Sequence, residues 1–198
     1  MAAAVRMTEH RLVPVDEFGA AVARRLLTHR RAALVDPDAL RAPIARPHPG
    51  LLVVAGSARR TELTAINDLA AAEDVPWLPV VLRQTRIDIG PVIGPGSEAC
   101  YRCMQARVRQ HDPHRRTTEE VDASATRRTA FLPAHVRQAA GIATRLTAAR
   151  PRTPHRAPVL SFGLHGAAPV TAHPVMGVHG CPGCGLRPSA APEQWRNP

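Results

Sequence analysis

The sequence predicts an α/β protein with a metal-binding subregion toward its C-terminus, and three observations lead there. Strand-like and helix-like patterns alternate through the first half of the chain. The short strand candidates are apolar on both faces, as buried parallel strands are. The four cysteines fall in two C-x-x-C pairs, Cys100-Tyr101-Arg102-Cys103 and Cys181-Pro182-Gly183-Cys184. Strand–helix–strand alternation points to βαβ units. Two C-x-x-C pairs bring four thiolates to one ion, the arrangement of structural zinc. Four cysteine ligands leave no open coordination position, so Zn2+ on Cys100, Cys103, Cys181 and Cys184 is expected to staple the fold and to perform no chemistry.

The elements follow in order. Residues 10–15 read as a short strand and residues 16–28 as a helix, with Phe18, Val22 and Leu26 on one face. Residues 31–35 are a short apolar strand ending at Asp36, which completes a βαβ unit. Residues 37–49 are proline-rich and irregular. Residues 51–54 form another strand, and a helix over about 61–73 places Leu63, Ile66 and Ala70 together. Residues 77–82 are a strand, with 87–93 its partner. Glycines and prolines from Gly90 to Gly96 lead into the first cysteine pair. Residues 101–110 are helical, and the charged segment 111–128 is expected to be a loop. Pro133 opens a helix that carries Val136, Ala140, Ala143 and Leu146 on one face. After an Arg/Pro linker, residues 159–164 and 170–176 form a hairpin through 165–168. The domain expected is 10–185, between an N-terminal tail (1–9) and a flexible C-terminal tail (186–198).

A chain of 198 residues with 44% hydrophobic residues can bury a core, and one with 3% aromatics must build it from aliphatic side chains. The net charge of +10 admits a nucleic-acid or acidic partner. The arginines are scattered, however, and few aromatics are available for base stacking, so nucleic acid is not the expected partner. No apolar run reaches the ~18 residues of a membrane-spanning helix. The N-terminal residues do not form a secretory signal. The expectation is a cytoplasmic protein without a membrane partner, a compartment where cysteine pairs bind metal more often than they oxidise.

The order of parts resembles the family of ubiquitin-activating-enzyme-like (E1-like) adenylyltransferases of the ThiF and MoeB type. In that family a Rossmann-like nucleotide domain is joined to a zinc held by two C-x-x-C pairs. The resemblance rests on Gly94-Pro95-Gly96 leading into Cys100-Tyr101-Arg102-Cys103 and on the second pair lying after a helix and two strands. It extends from about residue 11 to 184 and implies a truncated Rossmann-like, E1-type domain.

The resemblance also shows what is missing. The family's first strand leads into G-x-G-x-x-G, whose glycines let a phosphate reach the helix N-terminus. Here the stretch reads Pro14-Val15-Asp16-Glu17-Phe18-Gly19 and keeps only the last glycine. Asp16 and Glu17 put negative charge where a phosphate would dock. Asp36 could match the ribose-gripping carboxylate, but with the phosphate loop gone a strand-end turn before Pro37 is the favoured reading. The family's magnesium-binding aspartate corresponds to Ala58, which offers no oxygen to a hard cation. The degenerate nucleotide site near Asp16, Gly19, Asp36 and Ala58 is therefore expected to bind no cofactor, and no catalytic residue is assigned.

Trp77-Leu78-Pro79-Val80-Val81, the run from Ile89 to Gly96, and His179-Gly180-Cys181-Pro182-Gly183-Cys184-Gly185 are similar to the E1-like partner proteins of YcaO cyclodehydratases. Those proteins serve the biosynthesis of thiazole/oxazole-modified peptides, the RiPP and bacteriocin class. The resemblance implies a non-catalytic chain that presents a precursor peptide to a YcaO-type enzyme, with a homodimer also allowed. Such partners often grip the leader peptide with a winged-helix module of roughly 80 residues. This sequence starts almost directly with the E1-like part, so recognition through a separate module is part of the expectation. Two alternatives stay open: an ATP-dependent adenylyltransferase of the ThiF/MoeB type, and a zinc-ribbon nucleic-acid binder.

Other polar residues receive plain structural expectations. His111 and His114 are a solvated loop pair. His179 is a surface or outer group beside the cysteines. Trp77 anchors a core, Trp195 lies in the tail, and Asn67 and Asp68 are helix-surface groups.

Overall fold

The computed structural model describes residues 10–28, 32–36, 52–57, 60–123, 130–148, 158–166 and 169–184. The expectations for both tails, the irregular stretch 37–49, Ala58, Trp195, most of the Arg/Pro linker and the hairpin tip at 167–168 lie outside the described residues.

Seven strands form one mixed sheet. In chain order the elements are β1 (His10–Pro14), α1 (Glu17–Leu27), β2 (Ala32–Leu34), β3 (Leu52–Ser57), α2 (Arg60–Ala72), β4 (Trp77–Leu82) and β5 (Arg86–Ile89). Then come α3 (Tyr101–Gln110), α4 (Arg115–Ala123), α5 (Pro133–Ala148), β6 (Pro158–Gly163) and β7 (Thr171–Pro174). The strand order is β2-β1-β3-β4-β5-β6-β7. The first four strands are parallel and the last three antiparallel.

Alternation divides the side chains of the central strands between two cores. Leu52, Val54, Trp77 and Val81 face a core completed by Leu63, Ile66 and Ala70 of α2 and by Tyr101 and Met104 of α3. Val53, Ala55, Leu78, Val80 and Leu82 face the other, against Phe18, Val22 and Leu26 of α1 and Val136, Ala140 and Ala143 of α5. The apolar faces read from the sequence in the helices at 16–28, 61–73 and 133 onward are the faces buried. Burial stabilises each large side chain by about 1.5–3 kcal/mol. Trp77 is a core anchor: it is buried and packs against Tyr101 with ring centroids 5.6 Å apart and planes tilted by 56°.

Two expectations are corrected. The segment 111–128 is not a loop throughout: residues 115–123 form α4, whose first turns are seeded by the turn after Asp112. Its charged composition hid a helix whose described side chains are mostly exposed. The strand expected at 87–93 ends at Ile89. Ile93 returns only as an isolated bridge to Trp77. No described helix is long and apolar enough to cross a membrane.

Because β1 lies between β2 and β3 while α1 and α2 cover opposite faces, the chain reverses its winding between β1 and β3. In open α/β sheets the crevice outside such a switch point is where ligands bind.

Candidate functional site

The switch point is filled by a side chain of the protein itself. Asp16 is the N-cap of α1, and its Oδ1 accepts the Gly19 N–H at 2.9 Å. Its Oδ2 accepts the Ser57 N–H at 2.6 Å, from the end of β3. The positive end of the helix and one β3 amide thus both point at a carboxylate. These are the groups that would cradle an anion at a helix N-terminus. In this structure the Asp16 carboxylate takes both of those donors.

Gly19 has a different task. A Cβ there would lie 2.0 Å from the Ala55 carbonyl oxygen and 3.1 Å from the Pro14 Cα. Only a residue without a side chain lets α1 lie this close to β1 and β3. The glycine thus serves helix–strand packing. Asp36 is exposed just beyond β2.

The four cysteines converge, although 81 residues separate the members of each cross pair. Sγ–Sγ distances are 3.9 Å for Cys100–Cys103, 3.6 Å for Cys100–Cys181 and 3.6 Å for Cys103–Cys184. All four sulfurs lie within 4.8 Å of one another. A disulfide would bring two of them to about 2.05 Å, so no disulfide joins these cysteines. Four sulfurs each about 2.3 Å from a central zinc would stand roughly 3.8 Å apart, so the donor set and its spacing fit a tetrahedral ion. The cluster is compatible with a metal site.

The electrostatics of the cluster agree. Burial raises the Cys181 thiol, but the N–H groups of Gly183 and Cys184, with hydrogen bonds from Cys103 and Cys100, more than offset this and leave it at about 7. Burial pushes the Cys100 thiol up, and its like-charged neighbours add to the rise. A divalent cation would remove that like-charge penalty. The Val178 N–H points at Cys103 Sγ at 3.3 Å, as amides around metal-bound thiolates do. Gly183 is needed for closeness: a Cβ there would lie 2.6 Å from Arg102 Cδ and 3.2 Å from Cys100 Sγ.

Helix α2 positions the first cysteine pair. Cys100 occupies the N-cap of α3 without capping it. Asn67 Oδ1 instead accepts the Tyr101 N–H at 3.0 Å, and Asp68 pairs with Arg102 through two guanidinium nitrogens. The hydrogen bonds from Arg102 hold the Asp68 carboxyl below its ordinary value. The expectation of a helix-surface group is therefore corrected for Asn67 and holds for Asp68. Asn67 is 1% exposed and acts as a cap in trans, while Asp68 remains exposed but bound. A buried Asn followed by Asp on an otherwise apolar helix face was the signal available for this. His111, His114 and His179 are exposed and none joins the cysteine cluster.

A buried carboxylate was missed in the sequence. Asp88, on β5, is 1% exposed and accepts from Arg83 Nε, from Arg86 Nε at 2.9 Å and from Ser161 Oγ at 2.7 Å. An aspartate between Ile87 and Ile89, with arginines two and five residues before it, marks such a network in sequence.

No family model and no curated protein matches the chain. Solved structures do. A heterocyclase in complex with substrate and cofactor superposes with a TM-score of 0.65 at 21% identity, over 90% of this chain and 26% of the other. The heterocyclase TruD gives 0.62 at 21% identity, over 96% and 31%. E. coli MccB with ATP gives 0.58 at 11% identity, over 91% and 67%. The chain spans about a quarter to a third of the length of the heterocyclases. At these identities the likeness is one of fold, the fold that this chain shares with TruD and MccB.

Proposed function

We propose that the chain is a non-catalytic E1-like scaffold, a truncated Rossmann-like domain stapled by one zinc. It would work in the biosynthesis of azol(in)e-containing peptides. In this reading it presents a precursor peptide to a YcaO-type cyclodehydratase, either directly or through a separate recognition module. Cys100, Cys103, Cys181 and Cys184 would hold the zinc, which supplies cross-linking between α3 and the C-terminal segment.

The observation that carries the reading is the position of the Asp16 carboxylate. Its two hydrogen bonds use the Gly19 and Ser57 amides at the β1–β3 crevice. An ATP phosphate placed there would lose those donors and meet a like charge. Ala58, where the resemblance expects a magnesium ligand, supports the same conclusion. The fold likeness to heterocyclases over 90% or more of the chain supports the biosynthetic context.

Two measurements test it. The isolated chain is expected to show no ATP–pyrophosphate exchange; exchange above background would favour the adenylyltransferase alternative. The chain is also expected to co-elute with a YcaO-type cyclodehydratase from the same source and to raise its rate of heterocyclisation. Absence of both effects overturns the partner role.

A further inference from the structure

Strand β7 is an edge of the sheet, and among the described residues no strand lies beyond it. All four of its residues are exposed. Its pairing with β6 fixes which backbone groups face outward. Pro158 lies opposite Pro174, and a proline has no N–H to give, so these two cannot exchange hydrogen bonds. Bonded and non-bonded pairs alternate along an antiparallel ladder. Val159–His173 and Ser161–Thr171 are therefore the bonded pairs, and Leu160–Ala172 is not. The N–H and C=O of Ala172, and the C=O of Pro174, point away from β6.

An open edge of this kind accepts another strand unless charge, proline or a bulge blunts it. Charge does not blunt this one. From residue 157 to residue 186 the chain has no Asp, Glu, Lys or Arg, in a protein that is 21% charged. Pro174 removes a donor only at the end of the strand. Val170 and Met176, 45% and 66% exposed, flank β7 on its two sides. They are two of the four large apolar side chains exposed among the described residues.

We propose that β7 is the contact between two copies of this chain, which pair their β7 strands antiparallel about a two-fold axis at Ala172. The register is self-complementary. Ala172 would face its own symmetry mate and exchange two N–H···O=C bonds with it. By the same alternation, Val170 would donate its N–H to the Pro174 carbonyl of the second copy, so the missing proline N–H costs one bond on each side of the axis. Thr171 would lie opposite His173 of the second copy, where the two side chains can bond as they do within one chain at 3.0 Å. No position sets like charges opposite one another, which would destabilise the ladder. Charge also selects the occupant. Each copy carries +10, so two copies repel over most of their surface and approach best where the chain is neutral. Two-fold contacts that use the same patch twice are the commonest form of self-association. One short strand makes a small interface, so the dimer is expected to be weak, with a Kd of about 10 μM. The inference goes beyond the scaffold reading and requires neither ATP nor a cyclodehydratase.

Sedimentation equilibrium of the full chain, over about 1 to 200 μM, tests it. The chain is expected to pass from monomer to dimer across that range. Ala172→Pro removes the N–H that each copy would donate at the axis. It removes no bond of the fold, because that N–H faces outward, where an edge strand tolerates proline. Association should weaken by about tenfold or more, and likewise in Ala172→Lys, which sets like charges opposite one another. Ala172→Ser keeps the N–H and the neutrality and should associate as the parent does. Melting temperatures check that each variant folds, and Ala172→Lys stands in if Ala172→Pro does not. In the parent chain, hydrogen exchange at the Ala172 amide should slow as concentration rises. A chain monomeric throughout the range, a dimer that survives both Ala172→Pro and Ala172→Lys, or an Ala172 amide indifferent to concentration overturns the proposal. Loss of cyclodehydratase co-elution in Ala172→Pro, with a parent chain that stays monomeric, would assign the edge to that partner and overturns it too. Self-association is read on the chain alone, so either proposal can fail without the other.

Discussion

The Asp16 carboxylate accepts the backbone N–H of Ser57 at 2.6 Å, joining the ends of two adjacent parallel strands that lie 41 residues apart in the chain. With the Gly19 N–H on its other oxygen, this side chain both caps α1 and closes the crevice between β1 and β3. Asp16→Ala removes both bonds and should cost about 1–2 kcal/mol in urea denaturation, in the range of lost N-caps. Asp16→Asn keeps one acceptor oxygen and should cost less. Equal stability of Asp16→Ala and the parent chain would contradict the capping role.

Gly19→Ala probes how closely α1 lies on the sheet. The new methyl would fall 2.0 Å from the Ala55 carbonyl oxygen, which is backbone and cannot swing aside. A loss of about 2 kcal/mol or more is expected, as for other overpacked interiors. Because the site is helical, a propensity argument alone predicts the opposite sign, a gain on replacing glycine. The sign of the measured change therefore decides between them.

Asn67 and Asp68 are neighbours with unequal roles. Asn67→Ala leaves the buried Tyr101 N–H without its acceptor and should destabilise the chain by about 1–3 kcal/mol. Asp68→Ala breaks an exposed pair with Arg102 and should cost less, an effect that shrinks further in high salt. Chemical denaturation of the two variants at low and high salt distinguishes the roles.

The Asp88 network sets an acid limit. Desolvation raises this carboxyl, but Arg83, Arg86 and Ser161 outweigh it and hold it below its ordinary value of 3.8. A group depressed in the folded state stabilises fully above its unfolded value. That contribution is lost as pH falls from there through the folded value. Stability should thus fall below about pH 4, and Asp88→Asn should flatten that limb while lowering stability at neutral pH, since it leaves two guanidiniums facing a neutral partner. An acid profile unchanged by Asp88→Asn would place the titration elsewhere.

The cysteine cluster predicts a stoichiometry. Metal analysis of purified chain should return one zinc per chain, and a strong chelator should lower the melting temperature. Cys181→Ser should reduce both metal content and melting temperature, because one ligand is lost from a closed set. Full stability after complete metal removal would show that the cluster is not a staple.

Much of this architecture could be read from the residues alone. Local patterns specify the helices, because Phe18, Val22 and Leu26, or Leu63, Ile66 and Ala70, make an apolar face wherever the helix is later placed. The two C-x-x-C pairs announce a four-cysteine cluster because each pair is self-contained in sequence. The charge of Asp16 was legible as hostile to phosphate. Helix α4 was not legible, since a solvent-facing charged helix and a charged loop share a composition. The work of Asn67, Asp68 and Asp88 was hidden for another reason. Asn67 and Asp68 depend on partners 34 residues away, and Asp88, whose two arginines are local, also depends on Ser161, 73 residues away.

What the sequence determined by itself was therefore whatever is local: element types, apolar faces, ligand pairs and the sign of charge at the first turn of α1. The tertiary structure decided everything that depends on which distant segments meet. It turned Asp16 from a residue unsuited to phosphate into the acceptor of the Ser57 amide, and made Asn67 the cap of α3. It also left the uncharged strand β7 at an edge of the sheet. The physical reason is that hydrogen bonds and field strength depend on distance in space, and only the packing of the sheet and its helices sets that distance.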